Sequence, residues 1–176
     1  MTDEMLMEAV KNGELQQASV LFDRYNRRLF NFLARMTPDH DTAEDLTQNV
    51  FLRMLKYRNS YREGARFQSW IYQVARNVFS DYYQEAKNKS SVVKMETLPD
   101  KMDDTPQDVE QQEQLLHQSL QRLPEDQREL LVMTRFQHMK YEEVADIMNT
   151  SVANIKVKVH RAINKLRKHY FELEKI

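Results

Sequence analysis

The sequence predicts an all-α protein of two small helical domains joined by a flexible linker, and three observations carry that expectation. Glycine occurs only 2 times and proline 4 times in 176 residues, too few for a chain of hairpins and tight strand turns. Helix-forming aliphatic and charged residues dominate, and apolar residues recur at helical spacing in several segments. One stretch, Asn88–Gln107, lacks any period and holds Pro99, Pro106, a serine pair and Asp103-Asp104. It divides the chain into modules at 1–88 and 108–176, with 89–107 between them.

The first expected helix, Asp3–Asn12, is short and stops at Asn12-Gly13. A second runs from Glu14 to Met36 on a stripe of Leu15, Ala18, Leu21, Phe22, Tyr25, Leu29, Phe32 and Leu33, and Thr37-Pro38-Asp39 breaks it. The third, Asp41–Tyr57, has Ala43, Leu46, Val50, Phe51, Met54 and Leu55 as its core stripe. Asp45, Gln48, Asn49, Leu52 and Lys56 project together from the other side. Leu52 is apolar among polar neighbours. It reads either as an ordinary exposed leucine or as the apolar anchor of a docking surface with a polar rim.

After the polar loop Arg58–Gly64, the fourth helix, Ala65–Lys87, is rich in aromatics. Arg66–Gln84 contains 6 of them in 19 residues, including the only tryptophan. Phe67, Ile71, Val74, Ala75, Val78 and Tyr82 are expected to be buried. Trp70 falls at the edge of that face, and Phe79 is expected to pack. Arg66, Trp70, Gln73, Asn77 and Gln84 form an outer stripe, with Tyr72, Arg76 and Tyr83 on the remaining surface. Rings interleaved with arginine and amides suit single-stranded nucleic acid, because rings stack on unpaired bases, amides read base edges and cations hold the backbone. Arg66, Trp70, Tyr72, Gln73, Arg76, Asn77 and Ser80 are the candidate residues.

In the second half, Val109–Arg122 precedes a helix that starts at Pro124, a favoured first-turn position, and runs to His138. Two more helices follow, Tyr141–Met148 and Val152–Phe171, with only Asn149-Thr150-Ser151 between them. Tyr141, Val144, Ala145 and Met148 share one face; Asn149 tolerates a left-handed backbone, and Ser151 is an expected N-cap. Val152, Ile155, Val159, Ala162, Ile163 and Leu166 are the buried stripe of the last helix. This is the pattern of a helix-turn-helix. Ala153, Asn154, Lys156, Val157, Lys158, Arg161, Lys165 and Lys168 point elsewhere. That mixture of small, amide, cationic and apolar residues suits a major groove, though a solvated basic helix would look similar.

Charge and composition narrow the function. The formal net charge is only −1, but it alternates: residues 1–50 carry −4, 51–100 carry +4, 101–150 carry −6 and 151–176 carry +5. Two basic blocks can touch phosphate while acidic ones face other partners. The absence of cysteine excludes disulfides and cysteine-based metal or redox sites. The 5 histidines lie far apart and read as surface or boundary residues, so no metal, cofactor or small-molecule substrate is expected. No P-loop and no nucleophile–base pair is present, so no catalytic residue is assigned. No apolar run approaches the ~20 residues of a membrane span, and the N-terminus lacks the apolar length of a signal peptide, so a cytoplasmic protein is expected.

The stretches AEDLTQNVFLRMLK, FQSWIYQVARNVFSDYYQ, LQRLPEDQRELLVMTRF and YEEVADIMNTSVANIKVKVHRAINKLRK resemble, in order, the signatures of bacterial RNA polymerase sigma factors. The group most similar is the small extracytoplasmic-function type of the sigma-70 family. The resemblance implies a protein that binds core polymerase, carries it to promoters and opens the DNA. Asp45, Gln48, Asn49, Leu52 and Lys56 would then meet a coiled coil of the β′ subunit, and the β flap of the core is a further expected contact. The fourth helix and the loop before it would take the −10 element and an unpaired base. The helix-turn-helix would read the −35 element as duplex, and the acidic linker would thread the polymerase towards the RNA exit path. An anti-sigma protein, often membrane-bound in relatives, is a partner the resemblance leaves open. Asn49 stands where the family often has Glu, Asn149 where its turn usually has Gly, and Val157-Lys158 where it often has Ser-Arg. A conventional helix-turn-helix regulator acting without core polymerase, and a helical protein-interaction module, are the alternatives.

Overall fold

The computed structural model describes residues 1–89 and 107–175; the segment read as a linker therefore lies, but for its edges, outside the described residues. Eight α-helices are seen among them. They are α1 Asp3–Lys11, α2 Ala18–Met36, α3 His40–Lys56, α4 Phe67–Lys89, α5 Gln107–Gln121, α6 Glu125–Leu131, α7 Tyr141–Met148 and α8 Val152–Glu174. A short 3-10 turn at Leu15–Gln17 leads into α2, where one continuous helix from Glu14 was expected. α6 passes into a π-helical turn at Val132–Phe136, so the expected helix to His138 ends early. Pro124 is the residue before α6 rather than in its first turn.

Local chemistry places these breaks. Gly13 turns the chain at φ +104, a backbone that residues with a Cβ avoid. Thr2 caps α1 by accepting from the Met5 amide at 3.2 Å. Thr37 donates its hydroxyl to the Leu33 carbonyl at 2.9 Å and ends α2, and the Asp39 carboxylate accepts from the Thr42 amide at 2.7 Å and starts α3. Pro38, lying between them, cannot extend α2.

α1 to α4 bury Leu6, Met7, Val10, Leu21, Leu29, Phe32, Leu33, Met36, Val50, Met54, Phe67, Ile71 and Val78 in one core. Asp3 accepts from Tyr25 and Arg24, pinning α1 to α2. α5 to α8 enclose Leu120, Leu123, Leu130, Leu131, Val132, Val144, Ile147, Ile155, Val159 and Ala162. The expected stripes are largely reproduced. Leu15 and Phe22, both placed on the α2 core stripe, are 48% and 39% exposed, and Val74 and Tyr82 of α4 are only half-buried.

The two bundles pack directly on one another: α2 meets α5, α6 and the π-helical turn, and α4 meets α7. The last carbonyls of α2 need donors, and the second bundle supplies them. Gln121 donates to the Arg35 carbonyl at 2.8 Å and Arg128 to the Met36 carbonyl at 2.7 Å. The Arg35 guanidinium in turn lies 4.0 Å from the centre of the Phe136 ring.

Candidate nucleic-acid interface

The helix-turn-helix is built by α7 and α8. Asn149 ends α7 in the left-handed region at φ 53, and the Thr150 amide reaches back to the Ala145 carbonyl at 2.9 Å. Ser151 then caps α8, accepting from the Asn154 amide at 3.1 Å. Ala145, small and buried, sits on the face of α7 turned into the core. Asn149→Gly is expected to leave stability within about 0.5 kcal/mol, whereas Asn149→Val should cost about 1–2 kcal/mol, because a β-branched side chain clashes in this backbone region. Thermal unfolding of the two variants checks it.

On the outer side of α8, Ala153, Lys156, Val157, Arg161, Lys165 and Lys168 are exposed, Val157 at 49%. Asn154 and Lys158 are half-buried. The Asn154 amide is already engaged, donating to the Thr150 hydroxyl at 2.7 Å, so it braces the turn in this arrangement.

The α4 face is more complex. Arg66 and Asn77 are exposed, and Trp70, Gln73, Arg76 and Ser80 are half-buried. Trp70 stands edge-on to Tyr61, with ring centres 5.4 Å apart, and tilted to Phe67 at 6.2 Å, at the border of the core as its spacing implied. A cleft of about 480 Å³ opens beside it between α4 and the preceding loop, lined by Ser60, Arg62, Arg66, Trp70, Gln73 and Asp146. Phe79 packs, and Tyr83 lies stacked against it, 43% exposed.

Tyr72 corrects the sequence expectation. Helical spacing puts it on the outer surface, yet it is fully buried. Its ring meets Phe32 of α2 edge-on, and its hydroxyl donates to Gln137 at 2.9 Å. The second bundle covers what would otherwise be an open flank of α4. Burial pushes the phenol up to about 12.

Several residues that sequence reasoning passed over converge on this face. Arg76 donates through Nε and Nη2 to both oxygens of Glu129, at 3.0 and 2.8 Å. Burial pushes the Glu129 carboxyl up, and the Arg76 guanidinium pulls it back only in part. Ser69 donates to Asp146, and Gln68 to Glu143 at 3.2 Å. Gln73 and Arg76 each donate to the Ile147 carbonyl at 3.3 Å. No local signal marks these partners: Glu129, Glu143 and Asp146 look like the solvated residues of short helices until α4 lies against them.

A third face belongs to α3. Asp45, Gln48, Asn49, Leu52 and Lys56 are all exposed and lie along one side, with Leu52 at 63% the most open apolar side chain among them. Thr47, turned inward, hydrogen-bonds to the Ala43 carbonyl at 2.6 Å.

Among the described residues, no helix is long and apolar enough to cross a membrane. Comparison with known proteins is consistent across the chain. Residues 21–89 match the family model "Sigma-70 region 2", and residues 113–166 match "Sigma-70, region 4". The chain is 30% identical over 169 residues to the RNA polymerase sigma factor CarQ of Myxococcus xanthus, covering 96% of this chain and 97% of that one. It is 30% identical over 152 residues to the ECF RNA polymerase sigma factor SigM of Bacillus subtilis, covering 85% and 93%. In fold it is similar to CnrH, solved with the cytosolic domain of CnrY, at a TM-score of 0.72 and 17% identity over 94% of this chain and 95% of that one. It is also similar in fold to the sigma factor RpoE of Bartonella quintana, solved with the anti-sigma factor NepR, at 0.66 and 22% over 86% and 94%.

Proposed function

Because the chain belongs to the sigma-70 family of RNA polymerase sigma factors, in its extracytoplasmic-function group, and acts with polymerase in transcription initiation, we propose a division of labour among its three exposed faces. Residues 1–88 dock on core polymerase through Asp45, Gln48, Asn49, Leu52 and Lys56 of α3, and hold the separated −10 strand on Arg66, Trp70, Gln73, Arg76, Asn77 and Ser80 of α4. Residues 108–176 read the −35 duplex with Ala153, Asn154, Lys156, Val157, Lys158, Arg161 and Lys165. Residues 89–107 join them. The observation that carries this reading is the cleft beside Trp70. It combines an aromatic edge, two arginines and an amide, the chemistry that accepts an extruded base and its phosphate.

The chain works by binding alone. An unstacked base costs a few kcal/mol, and stacking on Trp70 with hydrogen bonds to the base edge offsets it. The α8 face supplies phosphate contacts from Lys165 and Arg161 and a methyl-sized apolar contact from Val157. The site of action is the cytoplasm. An anti-sigma protein, the class of partner with which the similarly folded RpoE was solved, is proposed as the factor that restrains it there or at the inner membrane face.

The test is co-elution with core polymerase and transcription from a two-element promoter. Leu52→Asp, on a face that carries no core packing, should abolish co-elution while leaving the melting temperature unchanged. Tight operator binding by the chain alone, with no affinity for core, would sink the proposal. Val157→Ser should change preference at one base pair of the −35 element by about 1–3 kcal/mol. Selection from a randomised −35 library reads that change, and an unaltered preference there would make Val157 a bystander.

A further inference from the structure

We propose that α1 positions the base-accepting cleft: Lys11 and Glu4 hold the loop Arg58–Gly64 and the first turn of α4 from behind, and so set the mouth of the cleft beside Trp70. This rests on the reading of that cleft given above. α1 lies outside residues 21–89, the stretch that matches the region 2 family model, and the match assigns it no role. It packs on α4 and on the 3-10 turn Arg58–Ser60.

Two polar contacts reach across. Lys11 Nζ donates to the Tyr61 carbonyl at 2.6 Å, and its charge strengthens the bond. Among the described residues, Lys11 is the one side chain from outside the loop and its flanking helices that hydrogen-bonds to the loop. Glu4 Oε1 accepts from the Phe67 amide at 3.3 Å, across 63 residues of sequence. α4 needs such an acceptor, because the residue before it is Arg66, whose side chain has none. A carboxylate there also meets the positive end of the helix dipole.

The path from these anchors to Trp70 is short. Tyr61 is 1% exposed, stands edge-on to the Trp70 ring at 5.4 Å and donates its hydroxyl to the Ala65 carbonyl at 2.5 Å. Phe67 tilts against the same indole at 6.2 Å. Lys11 therefore holds one residue that backs Trp70, and Glu4 holds the other. Ser60, Arg62, Gly64 and Ala65, the loop walls of the cleft, belong to the stretch so anchored. Burial pushes the Tyr61 phenol up to about 12, and the Glu4, Glu8 and Asp3 carboxylates of α1 add to the shift. A binding constellation must be held to within about 0.5 Å of its working geometry, which a loop alone rarely achieves. Neither side chain is needed to seat α1 itself. Leu6, Met7 and Val10 are at most 2% exposed in the core, and Asp3 ties the helix to α2.

The experiment uses holoenzyme assembled with core polymerase and fluorescent single strands carrying the −10 element of a promoter that it opens. Each strand lacks one base in turn. The unaltered chain should bind the strand without the captured base about tenfold or more weakly than the complete strand, and Trp70→Ala should erase that difference. Lys11→Met should erase most of it too, with co-elution, melting temperature and the effect of every other missing base near those of the unaltered chain. Lys11→Arg, which still donates, should restore the difference. Glu4→Ala should act like Lys11→Met, and Glu4→Gln, which keeps an acceptor, should act more weakly. If Lys11→Met lowers the melting temperature, Glu4→Ala, on an exposed side chain, carries the test. Equal weakening of all strands by these variants, or a base-dependent difference they leave intact, overturns the role of α1 alone. If the unaltered chain shows no base-dependent position, or Trp70→Ala retains one, the cleft is not the capture site and both readings fall.

Discussion

Arg128→Ala is expected to destabilise the C-terminal bundle by about 3 kcal/mol, enough to unfold a marginal domain. Arg128 is 7% exposed, and its guanidinium donates to four carbonyls: Leu120 at 2.9 Å, Gln121 and Leu123 at 3.0 Å each, and Met36 at 2.7 Å. Three of these acceptors lie at or just beyond the end of α5, where intrahelical donors have run out. Alanine leaves them buried without donors and opens a cavity as well. Burial lowers the affinity of Arg128 for its proton, so the charge is held at a cost that only its full set of acceptors offsets. Arg128→Lys, which keeps the charge but not the planar fork, should recover only part of the loss. Urea unfolding followed by circular dichroism measures both. A change within about 0.5 kcal/mol for the alanine variant would mean that water replaces the guanidinium freely.

Trp70→Ala with Asn77→Ala should reduce promoter opening by about 10- to 100-fold, the equivalent of one lost stacking partner together with a lost amide. Core polymerase affinity should stay near normal, since the docking face lies on α3. Permanganate footprinting of the opened strand, alongside co-elution with core, separates the two effects. Trp70 also packs on Tyr61 and Phe67, so some loss of stability accompanies its removal; Asn77 is exposed and carries no such cost. Equal loss of core affinity and opening would assign these residues to packing instead.

Much of the molecule was legible before any fold was known. Period and breakers placed seven of the eight helices with only small shifts at their ends, because an amphipathic stripe and its caps are local properties. The positive φ at Asn149 and the cap at Ser151 follow from side-chain chemistry alone. The exposed stripes on α3 and α8 follow from the angle between successive residues. The eighth, α6, is shorter than its apolar spacing predicts. Its tail becomes a π-helical turn, and no residue type in Val132–Phe136 demands that.

What the sequence determined by itself is therefore the set of helices and which side of each is apolar. Ordered motifs along almost the whole chain also determined the family. Only the tertiary structure decided which polar residues face each other. Tyr72 is buried, Arg128 is enclosed by carbonyls, and Arg76 holds Glu129 rather than solvent. The physical reason is separation along the chain. A helical period reports each residue's angle about its own axis, but 53 residues separate Arg76 from Glu129 and 77 separate Ser69 from Asp146. Pairing at that distance depends on how one bundle lies on the other, and that is decided by the packing of whole surfaces.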